Sequence, residues 1–93
     1  MVEIEVQRSD VEPHLSRFQV ILRDPDYISR HDVTMSRADF ERLTGGEGSP
    51  EDFVHRCFEF LLEREQKESI LPSFDVTEIG RYFPEFEREI RPV

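Results

Sequence analysis

Residues 49–67 read SPEDFVHRCFEFLLEREQK, and the rest of the chain is organised around them. Ser49 supplies a side-chain oxygen for an orphan backbone N–H, Pro50 suits the first helical position, and Glu51 and Asp52 sit where acids meet the positive end of a helix dipole. Phe53, Val54, Cys57, Phe58, Leu61 and Leu62 then recur at helical spacing. At about 100° per residue they cover an arc of roughly 180°, which Phe60 widens. The pattern predicts a helix over 50–67 that a single sheet cannot cover. A second element or a second subunit has to shelter the remainder.

Toward the N-terminus the period changes from helical to alternating. Val2, Ile4 and Val6 alternate with Glu3, Glu5 and Gln7, which predicts a strand over 2–7. Residues 8–14, with Ser9, Asp10 and Pro13, read as a connection. Phe18, Val20 and Leu22 alternate with Gln19, Ile21 and Arg23 in a second strand over 16–23, and Asp24, Pro25 and Asp26 close it with turn chemistry. His31, Val33 and Met35 give a returning strand over 30–35, hence a three-stranded antiparallel sheet. A meander and an order with the first strand central fit equally well. Ser36 and Asp39 stand at capping-box spacing with Met35 and Phe40 as a staple, so a helix over 36–44 should follow, ended by Gly45.

Beyond the long helix, Ile70 and Leu71 precede Pro72 in a bend and are expected to tuck under the core. Asp75 with Glu78 and Phe74 with Ile79 repeat the cap and the staple, predicting a helix over 76–82. Pro84 interrupts it, and Phe86 with Ile90 predicts a last helical stretch over 84–91. The fold class is therefore α+β, one domain over 1–93, with the helices packed on one face of a small sheet. The span 48–90, carried by Phe58, Phe60, Leu61, Leu62, Glu63, Phe74, Asp75, Ile79, Arg81, Tyr82, Phe83 and Pro84, resembles a group of short bacterial proteins of unassigned function. That resemblance implies helix boundaries and a bacterial origin; it carries no activity and no site residue.

Composition excludes more than it selects. The net charge of −9 is spread over both halves, so each would repel a phosphate backbone and nucleic-acid binding is disfavoured. No run approaches the roughly 20 apolar residues of a membrane span, and residues 1–8 lack a signal core, which leads to the expectation of a cytoplasmic chain. The single cysteine, Cys57, falls within the apolar arc and reads as core. Eleven of the twelve basic residues are arginine, a bias that composition alone does not explain.

No motif for catalysis, cofactor or metal emerges. Gly45 to Ser49 lacks the lysine of a phosphate loop and places Glu47 where phosphate would lie. His55 and Cys57, two apart on a helix, point away from each other, and His14, His31 and His55 read as scattered surface histidines. Asp24 and Asp26 enclose a proline and fit a turn better than a calcium loop. Glu59 and Glu63, with Asp52–Arg56 and Glu63–Lys67 at i, i+4, read as a solvated charged flank.

What remains is apolar surface. Phe58, Phe60, Leu62, Tyr82, Phe83, Phe86 and Ile90 form the candidate interface, with the aromatic tail serving either as a lid on the long helix or as part of a contact between molecules. The expected function is a small non-catalytic interaction module that self-associates as a dimer. The alternative is an acidic regulatory partner of a basic protein surface. An enzyme or metal site assembled from dispersed residues ranks last.

Overall fold

The computed structural model describes residues 2–91, apart from the side chains of Asp10 and Val11; Met1, Pro92 and Val93 of the single-domain reading lie outside them. Three strands, β1 (Glu3–Val11), β2 (Leu15–Arg23) and β3 (Ile28–Ser36), form an antiparallel meander. Helices α1 (Arg37–Thr44) and α2 (Pro50–Arg64) follow, then a 3-10 turn (Lys67–Ser69). Next come β4 (Ser73–Asp75), a second 3-10 turn (Val76–Glu78), α3 (Ile79–Tyr82) and α4 (Phe86–Ile90). The protein is α+β, and the helices lie on one face of a sheet ordered β1-β2-β3-β4.

Both hairpins turn on a proline. The Glu12 N–H donates to the Leu15 carbonyl across Pro13 and His14, and the Asp24 N–H donates to the Tyr27 carbonyl across Pro25 and Asp26. Asp24 Oδ1 also accepts the amides of Asp26 and Tyr27 at 2.8 Å each, which fixes the second turn as the sequence implied. The expected connection over 8–14 is shorter than expected. β1 continues to Val11 past a register shift between Arg8 and Asp10, where the extra residue Ser9 is absorbed as a bulge.

Alternation decides which side chains enter the core. Val6 pairs with Val20, Val20 with His31, and Val33 with Phe74, all on the helix-facing side. The opposite side carries Glu5, Gln19, Arg30 and Asp32, with Ile21 buried between its cross-strand neighbours Glu5 and Arg30. β4 is an addition to the expected sheet. It pairs parallel to β3 through Val33 and Phe74, and Thr34 Oγ1 donates to Asp75 Oδ2 at 2.6 Å. A parallel partner needs a long crossover, which α1 and α2 supply.

The caps follow the sequence closely. Ser36 Oγ accepts the Asp39 amide, Ser49 Oγ accepts the Asp52 amide, and Asp75 and Glu78 form a reciprocal box. Gly45 ends α1 at φ 73°, a left-handed conformation that an L side chain adopts only with strain. α2 buries Phe53, Val54, Cys57, Phe58, Phe60 and Leu61, each worth about 1.5–3 kcal/mol for the larger side chains.

Three local expectations are corrected. α2 stops at Arg64, not at Lys67, although Glu65, Gln66 and Lys67 favour helix. Lys67 turns back instead: its Nζ lies 2.6 Å from both Asp24 Oδ2 and Glu68 Oε1 and above the Tyr27 ring, leaving it 8% exposed. Neither that amine nor Arg56 makes the expected i, i+4 pair, since Arg56 donates to the Ile90 carbonyl. Ile70 does tuck into the core, but Leu71 stands 41% exposed. The Leu71 carbonyl, by contrast, is engaged by a buried histidine.

Candidate functional site

That histidine is His31, which alternation sets on the strand face of Val33 and Met35 but which reads, with His14 and His55, as a scattered surface histidine; it is 3% exposed. Its Nδ1 lies 2.7 Å from the Leu71 carbonyl, its Nε2 lies 2.9 Å from Ser29 Oγ, and its ring tilts against Phe58. A carbonyl only accepts, so Nδ1 carries a proton, and Nε2 shares its hydrogen bond with the serine hydroxyl. Nδ1 thus holds β3 to the segment before β4, and Nε2 is engaged within β3 itself. His55 is half-buried on α2, His14 is exposed in the first turn, and Cys57 is buried, with burial pushing its thiol up. Among the described residues no three His, Cys, Asp or Glu side chains gather as a metal site.

The candidate interface residues separate by burial. Phe58, Phe60, Phe86 and Ile90 lie inside the chain, Leu62 and Phe83 are half-buried, and Tyr82 is 65% exposed. Phe83 and Phe86 close edge-on over Phe60 at 6.0 and 5.1 Å between ring centres, so the aromatic tail is a lid on α2. Arginines lock it. Arg64 lies over the Phe60 ring at 3.6 Å, donates to Glu85 and Glu89 at 3.0 and 2.7 Å, and reaches the Phe60 carbonyl. Arg56 binds the Ile90 carbonyl, and Arg42 joins Asp39 to Glu87. A planar guanidinium can stack and donate in several directions at once where an ammonium cannot, which accounts for part of the arginine bias.

The neighbouring stripe of α2 is open. His55, Glu59, Leu62 and Glu63 face a groove of about 1390 Å³ whose other wall is Val2 and the start of β1, from Glu3 to Glu5. β1 is the end strand of the sheet, and among the described residues its outer backbone edge has no partner. Carboxylates outnumber cations along the groove by seven to three. All three cations are already engaged, Arg23 by Glu5, Lys67 by Asp24 and Glu68, and Arg64 by the lid. The Lys67 amine holds the Asp24 carboxyl below its ordinary range, and the Asp24 carboxylate in turn raises the amine.

Among the described residues Glu3, Glu63 and Glu65 have no partner, and Glu59 meets only His55 at 3.3 Å. Burial raises the Glu65 carboxyl, the mark of a charge losing water without gaining a cation. Sequence reasoning read Glu59 and Glu63 as a solvated flank but missed the groove, because nothing local says that β1 lies at an edge. A second, smaller pocket of about 110 Å³ is floored by Leu61, Ile70, Phe74, Ile79 and Phe83, and Leu71, Tyr82 and Glu65 stand at its rim.

No family model, curated protein or solved structure matches the chain. No helix among the described residues is long and apolar enough to cross a membrane.

Proposed function

We propose that this chain is a small non-catalytic interaction module whose partner is a basic protein surface. The observation that carries it is the groove between β1 and α2, where every lining cation is consumed internally and, among the described residues, Glu3, Glu63 and Glu65 remain unpaired. Such a surface attracts lysine and arginine from a partner and disfavours nucleic acid. The buried thiol of Cys57 suits a reducing compartment, and we take the cytoplasm as the setting. Binding of the intact chain to immobilised polylysine tests the proposal. Retention at about 0.05 M salt that is lost near 0.5 M supports it, since the Debye length shortens severalfold over that range. No retention at low salt overturns it.

Self-association is a second reading, favoured by Tyr82 and Leu71 standing exposed beside the small apolar pocket. A twofold contact there would bury both tyrosines. Light scattering at tens of micromolar decides it: a dimer that Tyr82→Ser dissociates supports the contact, and a monomer removes it.

A further inference from the structure

Resting on the basic-partner proposal, we infer that the partner enters as an extended segment that adds a strand to the open edge of β1, with alternating aliphatic and cationic side chains. An end strand presents a row of unpaired N–H and C=O groups, the template for strand addition. On β1 this row borders a groove wide enough for another chain, along Val2 to Glu5. Four residues of strand span about 13 Å, so a segment of four or five residues fills the wall.

Alternation then dictates the partner's chemistry. The side chains of an added strand that point toward the helices meet Ile4 and Leu62, both partly buried and part of the core's margin. Aliphatic groups there extend the core. Those on the other face lie beside Glu3 and Glu5, and cations flanking the ends of the added segment reach Glu59, Glu63 or Glu65 across the groove. The same charges disfavour a second copy as the occupant, since pairing two β1 edges brings together two chains of net charge −9, each with Glu3 and Glu5 on that strand. An acidic edge therefore resists self-pairing and admits a basic strand.

The probe is a peptide of about seven residues alternating lysine and valine, blocked at both termini and titrated into the intact chain at low salt. Hydrogen exchange is followed amide by amide. The expected result is at least roughly tenfold slower exchange at alternate amides between Glu3 and Arg8, and a roughly tenfold loss of affinity when one alternate set of peptide amides is N-methylated but not the other. A Glu3→Lys/Glu63→Lys variant should weaken the lysine peptide and favour one alternating glutamate and valine. Equal binding by both methylated peptides, or protection away from β1, overturns strand addition while leaving the basic-partner proposal intact. Absence of peptide binding overturns strand addition, and absence of retention on polylysine as well overturns both.

Discussion

Two stripes of α2, displaced by a single residue, meet opposite fates. Arg56, Phe60 and Arg64 recur at i, i+4, i+8 and are covered: the ring lies under Phe83 and Phe86, and the two guanidinia bind α4 and the residues around it. His55, Glu59 and Glu63 recur with the same period one position earlier and face a groove in which Glu3, Glu63 and Glu65 pair with no cation among the described residues. Helical periodicity is identical on both. What differs is that the covered stripe carries cations against Glu85, Glu89 and the Ile90 carbonyl, whereas the open stripe carries acids against the glutamates of the strand edge. An interior forms where charges match, and a surface for another molecule remains where they do not.

The contrast can be broken most directly on the covered side. Phe86 is fully buried, so Phe86→Ala should cost about 3–5 kcal/mol, read as a lowered urea midpoint with little change in slope. A loss under about 1 kcal/mol would mean that the lid closes nothing. Arg64→Lys should be destabilising by less than that but by most of what Arg64→Ala costs, because an ammonium cannot keep the ring, Glu85 and Glu89 together. Equal stability of the lysine variant and the parent would reduce the clasp to simple charge.

Titration sharpens the comparison further. Burial raises the Glu65 carboxyl, so its folded value lies above its unfolded one. The group favours the fold below the ordinary glutamate range and loses that contribution as pH rises through the raised value. Glu65→Gln should therefore melt slightly higher than the parent at neutral pH, and the two should converge once the medium is acid enough to protonate glutamate. Asp24 behaves oppositely. Its Lys67 bond lowers its carboxyl, giving stability that is present above the ordinary aspartate range and lost as pH falls through the lowered value. Asp24→Asn should flatten that part of the acid-unfolding curve.

The smallest effect on stability belongs to the open stripe. Glu63→Lys should change unfolding by no more than about 0.5 kcal/mol, since Glu63 is exposed and makes no pair among the described residues. The same substitution should weaken polylysine binding clearly. Unchanged binding would remove the open stripe from the proposed contact.

Local chemistry alone determined a good deal of this protein. Ser36, Ser49 and the Asp75–Glu78 box mark helix starts because a capping oxygen acts within three residues, and Gly45 marks an end because only its own backbone must turn left-handed. Alternation placed Phe18, Val20, Leu22, Val33 and Met35 inward, since the strand period of two is a property of the chain itself. The wide apolar arc of α2 also announced that a second element or a second subunit must cover what the sheet does not.

Tertiary structure decided the rest. Lys67 leaves the helix because Asp24, more than forty positions away, offers a carboxylate at 2.6 Å. His31 is interior because its position on β3 faces Phe58 and because Leu71 brings a carbonyl to its ring. β4 is three residues long and has no local signature; its strand character comes from pairing with β3. Which of two like-spaced stripes on α2 is covered, and that β1 lies at the edge, depends on where distant segments return, and no window of sequence contains both sides of such a contact.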